Sequence, residues 1–384
     1  MHRMHRIARH PHRTLPFQAL LAGLLVVASG VLPAATAPTA VEGRPPPAPR
    51  LSLNPALVEP PQAVVAEAWT SPAYEDDELD SLAPWQDTDG RLWLFATAKR
   101  SDRIVVFDAA DGARVRESGG PGTAPGRFAR PNGVSVAGDL LFVVERDNHR
   151  VQVLSLPALE PLAMFGDDVL RVPYGLWTQD HGDGRISVLV TDSFMQDFAR
   201  GVPPPAAQLA ERIRRFEVRT DGRGVHVQYL GAFGDTGEGA LRMVESIAGD
   251  ARGQRLLIAE EDHRVGSTLR DYTLDGRYRG YSLPPFKGDA EGVALWTCGD
   301  DGYWIAAEQV RPTRFHLFSR HTLAPAGYVT GRHTALTDGL TVFAGPSPGF
   351  PHGALFALDE DRALAAFDLA AVARALDLRD ACRR

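Results

Sequence analysis

Lysine is almost missing from this chain. Of 41 basic residues, Lys99 and Lys287 are the lysines and the rest are arginines. A bias that strong reads as a coding preference, so an isolated lysine is a mild pointer and not a signature. Cysteine is equally scarce, with Cys298 and Cys382 the full set. Two cysteines exclude a disulfide-built scaffold. An oxidising compartment would permit a bridge between them, and a bridge and a free pair stay equally open. Positive charge is in deficit, at a formal net −7, which argues against nucleic acid as a partner. Long helical periodicity is nearly absent, the exceptions being stretches near 206–214 and 369–380. Histidine and cysteine form no cluster with zinc spacing: His2 and His5 lie at the N-terminus, and His149 and His263 stand singly. The run Gly119-Gly120-Pro121-Gly122 lacks the following helix and GK[ST] ending of a phosphate loop, and no GxSxG nucleophile motif occurs.

What is present begins with an export pattern. Arg3, Arg6, Arg9 and Arg13 form a cationic start without an acid, an apolar run covers 17–32, and small residues follow to Ala40. That order reads as a signal peptide over 1–40, too short for a comfortable membrane span, with a retained anchor as the alternative. Its removal takes away four arginines and no acid, moving the formal charge from −7 to −11. The mature protein is expected to be periplasmic or secreted. Residues 41–62 are proline-rich and read as an extended linker. From 63 to 384 short β-like runs alternate with Gly, Asp and Asn.

One phrase recurs six times: a polar residue, then Gly or Ser, then an aliphatic residue. The copies are Asp80-Ser81-Leu82, Asn132-Gly133-Val134, Tyr174-Gly175-Leu176, Glu245-Ser246-Ile247, Glu291-Gly292-Val293 and Asp338-Gly339-Leu340. Each is followed by a second β-like run with a polar end, and then by a third. Repeats of this size with about four strands each predict an all-β fold, a six-bladed β-propeller with a short C-terminal helix. The last repeat lacks a fourth strand, which the N-terminal run 63–69 would supply, closing the ring and removing exposed sheet edges.

In a propeller the first strand of each blade lines the central channel, and in an antiparallel hairpin its start lies beside the end of the next strand. Six polar heads would therefore ring one mouth: Asp80, Asn132, Tyr174, Glu245, Glu291 and Asp338. Around them would stand the tails Lys99, Arg146, Asp147, Asp192, Glu260, Glu261, Glu308, Gln309 and Asp359, with Asp289 joining the same mouth. Turn chemistry explains single Asp and Asn residues at such positions, but not Glu or Tyr held in register. Crowded carboxylates stay ionised together beside cations, and an all-oxygen donor set suits Ca²⁺. Lys99 and Arg146 on an acidic, metal-loaded rim would hold an anionic, phosphoryl-bearing substrate, or else only offset carboxylate charge.

These residues resemble the β-propeller phytases, calcium-dependent phosphatases with six blades. The resemblance spans about 63–368 and is carried by 75–85 (EDDELDSLAPW), 97–102 (TAKRSD), 257–262 (LIAEED), 288–293 (GDAEGV), 303–309 (YWIAAEQ) and 337–356. It implies calcium roles for Asp80, Glu245, Glu260, Asp289, Glu291, Gln309 and Asp338. It implies phosphate contacts for Lys99 and Arg146, and a site role for Tyr174. Lys99, Arg146, Tyr174, Glu245 and Glu260 would then form the catalytic group, acting on phytate or a related polyanion through a metal-activated water. Three features depart from the family. Thr191-Asp192-Ser193 replaces its Lys-Glu pair, Ala366-Phe367-Asp368 replaces an Asn-Phe-Lys-like ending, and 195–211 is an insertion expected to overhang the site face.

Residues 126–153 also read like an NHL-type propeller repeat, with Asp147-Asn148-His149-Arg150 before a β run. A calcium-stabilised binding propeller without catalysis is therefore the second expectation, and a lactonase-like propeller hydrolase the third. The expected partners are a small phosphorylated anion, no nucleic acid and, once the leader is removed, no membrane. A monomer is expected.

Overall fold

The computed structural model describes residues 62–379 and Cys382; the leader and nearly all of the proline-rich segment lie outside the described residues. Two short strands come first, β1 (Gln62–Val64) and β2 (Trp69–Thr70). Blade 1 is β3 (Leu79–Gln86), β4 (Leu92–Ala98), β5 (Arg103–Asp108) and β6 (Arg114–Gly119). Blade 2 is β7 (Pro131–Ala137), β8 (Leu140–Glu145), β9 (Arg150–Ser155) and β10 (Pro161–Phe165). Blade 3 is β11 (Pro173–Asp180), β12 (Arg185–Asp192), β13 (Ile213–Asp221) and β14 (Gly224–Phe233). Blade 4 is β15 (Val244–Asp250), β16 (Arg255–Glu260), β17 (Thr268–Thr273) and β18 (Tyr278–Ser282). Blade 5 is β19 (Asp289–Cys298), β20 (Asp301–Gln309), β21 (Arg314–Ser319) and β22 (Pro325–Thr330). Blade 6 is β23 (Leu340–Phe343), β24 (Ala354–Asp359) and β25 (Ala363–Asp368), followed by helix α1 (Leu369–Ala375). Each blade is a sheet, and the first strands touch their neighbours around a closed ring. The fold is the expected six-bladed β-propeller.

The second and third strands carry continuous aliphatic runs because both of their faces are buried, as in Leu141–Val144 of β8, all fully buried. Six apolar layers result, one between each pair of neighbouring blades. Hydrophobic burial thus acts between blades and favours closing the ring over leaving one layer open to water.

The closure differs in detail from the expected single strand. The run 63–69 is split between two blades. β1 pairs in parallel with β22 as a fifth strand of blade 5. β2 pairs antiparallel with β25 and supplies the missing fourth strand of blade 6. Glu67 sits at the crossing. Its carboxylate accepts the backbone N–H groups of Arg332 at 3.1 Å, His333 at 2.9 Å and Thr334 at 3.0 Å, and the Thr334 hydroxyl at 2.8 Å. A Cβ on Gly331 would stand 2.1 Å from Glu67 Oε1, so a larger residue there would push the carboxylate off its donors. The acid, not strand propensity, breaks the run in two.

The tail is fixed twice. Asp368, a departure from the phytase pattern, is the N-cap of α1, accepting Ala370 N–H at 2.8 Å. Leu369, Val372 and Ala373 of the helix enter the layer between blades 5 and 6. Cys298 at the end of β19 forms a disulfide with Cys382, resolving the alternative left open by the sequence. The stretch near 206–214 is a 3-10 turn over Ala206–Glu211 leading into β13. Among the described residues no helix is long and apolar enough to cross a membrane.

Candidate metal and anion site

The recurring phrase has a structural cause. In each of the first five blades the pairing of first and second strands breaks at the same place, between Leu79 and Leu82, Pro131 and Val134, Pro173 and Leu176, Val244 and Ile247, and Ala290 and Val293. A β-bulge there re-aims the polar head. The residue after each head meets the next blade's backbone. A Cβ on Gly133 would lie 2.5 Å from the Tyr174 carbonyl, on Gly175 2.8 Å from that of Glu245, on Gly292 2.8 Å from that of Asp338, and on Gly339 2.3 Å from that of Asp80. Ser246 uses its hydroxyl to donate to the Glu291 carbonyl at 2.5 Å. Small residues are therefore obligatory where blade meets blade.

The channel of about 390 Å³ is lined by the first strands and carries Asp80, Tyr174, Glu245, Glu291 and Asp338 at its polar end. The sixth head, Asn132, behaves differently. It is fully buried, and neither polar atom of its carboxamide has a protein partner.

Two adjacent positions at the end of each second strand do different work. The first is Glu145, Asp192, Glu260, Glu308 and Asp359 in blades 2 to 6, and Ala98 in blade 1. Each of these acids accepts backbone N–H groups from the segment entering its own blade. Glu145 takes Ala129, Asp192 takes Val172, Glu308 takes Lys287 and Asp359 takes Ala335, at 2.7–3.1 Å. Glu260 takes Arg242, Met243 at 3.0 Å and Asp262 at 2.9 Å, and is fully buried. Its carboxylate is thus spent on the backbone and does not join the mouth, where the sequence reading had placed it. Asp192 likewise pairs with buried Arg214 at 3.1 Å, so its carboxylate is engaged by Arg214 and the backbone.

The second position is the mouth position: Lys99, Arg146, Ser193, Glu261, Gln309 and Glu360. Lys99 Nζ lies 2.9 Å from Asp80 and 3.4 Å from Asp338. Burial opposes its charge, but Asp80 and Asp338 prevail and hold its pKa well above the ordinary lysine value. Gln309 Nε2 donates to Asp338. Arg146 is about a quarter exposed and pairs with the exposed Asp147 at 2.7 Å. Asp289 sits on the rim, 2.6 Å from the His263 ring.

Glu261 is the residue the sequence reading under-used. Its carboxylate, with those of Glu245 and Glu291, offers ligand oxygens that all lie within 4.8 Å of one another. All three pKa values stand well above the usual carboxylate range. Burial is the first cause for each; Glu291 then acts on Glu245, Glu245 on Glu261 and Glu261 on Glu291. Beside them the Tyr174 phenol is raised, first by Glu245 and then by burial. Asp338 is raised by burial, against Lys99, and is further raised by its neighbour Asp361, a residue absent from the sequence reading. Asp361 Oδ1 is itself buried without a hydrogen-bond partner. Oxygen donors this close, each disfavoured as an anion by the others, fit a hard divalent cation such as Ca²⁺.

The fold and this mouth define a six-bladed β-propeller with an acidic axial site. Comparison with known families matches an NHL repeat to residues 128–154. That segment is β7, β8 and most of β9, part of one blade. Within it Arg150 and Gln152 donate to Glu145 at 2.6 and 2.7 Å, so its polar residues hold the blade together. No curated protein matches the chain. Among solved structures, the hydrazine synthase of Kuenenia stuttgartiensis is similar at 12% identity and a TM-score of 0.42, over 74% of this chain and 75% of that one. A likeness that loose does not bear on function, and neither comparison points to a phytase.

Proposed function

We propose that this protein is an exported Ca²⁺-dependent phosphomonoesterase acting on a small phosphorylated anion, phytate or a relative of it. One juxtaposition carries the reading. Glu245, Glu261 and Glu291 converge within 4.8 Å at a mouth that also holds Lys99 and Tyr174. These three carboxylates would hold the cation, with Asp338 and Gln309 beside them. Bound there, Ca²⁺ would polarise a phosphoryl oxygen and acidify a water.

The chain's own groups have separate tasks. Lys99 stays charged and offsets Asp80 and Asp338. Arg146, whose carboxylate partner among the described residues is the exposed Asp147, would meet an incoming phosphoryl group. Tyr174 keeps its proton at neutral pH and so serves as a donor to anionic oxygen, not as a base. The test is phosphate release from phytate and from a simple monoester, with Ca²⁺ and with a calcium chelator, and lactone hydrolysis as a control. Calcium-dependent release supports the reading. Release that ignores the chelator sinks it, and lactone opening in its place moves the protein to lactonase chemistry.

The NHL match over 128–154 favours a second reading, a propeller that binds and does not catalyse. Calcium-dependent binding of a phosphorylated ligand without turnover would select it.

A further inference from the structure

The mouth is not uniform around its rim. The connections from second to third strand are residues 99–102, 146–149, 261–267, 310–313 and 360–362 in five blades, but 193–212 in blade 3. A connection that long in a compact domain calls for a use. Ser193 fills the position that carries Lys99 and Arg146 in blades 1 and 2, so this sector has no cation where those have one.

The long connection is anchored rigidly at its base. Arg212 is fully buried and donates to the carbonyls of Asp192 at 2.8 Å, Phe194 at 2.6 Å and Leu241 at 2.9 Å, and to that of Arg242. The Phe194 ring is held between Arg171 and Arg212, at 4.2 and 4.6 Å. Its tip is tied to blade 4. Arg264, paired with Asp262 at 2.6 Å, donates to the Gly201 carbonyl at 2.7 Å, and Gly201 N–H closes back on the Phe198 carbonyl at 3.2 Å. Asp262 directly follows Glu261 of the carboxylate trio. The chain of contacts therefore runs from Glu261 to the turn bearing Phe198. Phe198 is 63% exposed, and Val265 beside Arg264 is 37% exposed. A pinned loop thus offers an aromatic ring and a valine on the face that carries the acidic site, while Lys99 and Arg146 stand at the mouth positions of blades 1 and 2.

We propose that the 193–212 connection is the specificity wall of the mouth, and that the site takes a phosphomonoester whose ester group is apolar, an aromatic ring best of all, lying against Phe198 and Val265. This rests on the phosphomonoesterase reading and departs from its phytate part, setting an apolar or aromatic monoester as the substrate class. The anionic end meets the cation side of the mouth, and the apolar end covers surface that is otherwise in water.

Calorimetry with two non-hydrolysable probes, naphthylmethylphosphonate and methylphosphonate, tests it on the intact chain in the presence of Ca²⁺. Covering on the order of 60 Å² of apolar surface gives the naphthyl probe roughly tenfold tighter binding. The ratio of the two affinities falls toward one in Phe198→Ala and is partly kept in Phe198→Leu. Equal affinities in the wild type, a ratio that survives both Phe198→Ala and Val265→Ser, or no binding of either probe overturns the proposal. If the naphthyl preference holds but no phosphate ester is turned over, the catalytic reading fails and the apolar wall stands. If esters are turned over without preference, the wall fails and the catalytic reading stands.

Discussion

Glu67→Gln isolates the closure of the ring. Burial works against the Glu67 charge, but the N–H groups of His333 and Thr334 outweigh it and bring the pKa from 4.5 down to about 2. That difference corresponds to roughly 3 kcal/mol at about 1.4 kcal/mol per pH unit, and screening of a partly exposed group reduces it to about 2 kcal/mol. The folded pKa is the depressed one. The stabilisation is therefore complete above pH 4.5 and is lost as pH falls from there towards 2. Glutamine keeps the shape but turns an amide donor towards backbone donors. For a propeller of this size the loss lowers the melting temperature by about 3 °C at pH 7. Urea unfolding of wild type and variant at pH 7 and at pH 3.5 reads both parts of the argument, with the gap narrowing at the lower pH. A variant as stable as wild type at pH 7, or a gap that does not narrow in acid, would refute the reasoning.

Three further outcomes follow from the same structure. The Cys298–Cys382 bridge spans 84 residues, so Cys298→Ser should cost about 2–4 kcal/mol, seen as a lower urea midpoint that reductant no longer changes. Glu260→Ala strands three N–H groups, that of Asp262 buried and those of Arg242 and Met243 partly so, and should cost about 2–3 kcal/mol, whereas Glu261→Gln relieves repulsion and should leave metal-free stability equal or higher while weakening Ca²⁺ binding; the reverse pattern would exchange their roles. Export with cleavage near 37–40 is read by N-terminal sequencing of the secreted or periplasmic protein, and a mature chain starting at Met1 would contradict it.

The six blades were legible because close packing repeats. Gly133, Gly175, Gly292 and Gly339 each touch the next blade's backbone, so the small residue could not drift, and the buried second and third strands could only be aliphatic. The fourth strands were faint for the opposite reason. β6 and β10 face water, as exposed Val115 and Met164 show, and little constrains their pattern. The site was legible to within one residue at Glu260 and Glu261. Adjacent residues of a strand point to opposite sides, so that slip exchanges a backbone clamp for a mouth carboxylate. The clamp position carries an acid in blades 2 to 6, and that repeat was the signal that could have separated the two. Asp361 comes from the loop after β24, where period-2 reasoning gives no guidance. The split at Glu67 depends on one acid meeting three N–H groups from a distant connector, which no local pattern encodes.

Calcium titration by calorimetry at pH 6 and pH 8, on wild type and Glu291→Gln, tests the central claim most directly. Burial and mutual repulsion raise the pKa values of Glu245, Glu261 and Glu291 and so favour their protonated forms when no cation is near. A cation favours the ionised forms, so its binding works against that protonation. The account predicts measurable proton release, tighter binding at pH 8 than at pH 6, and at least tenfold weaker binding in Glu291→Gln. Absence of calcium binding at either pH, or binding unchanged by Glu291→Gln, would contradict it.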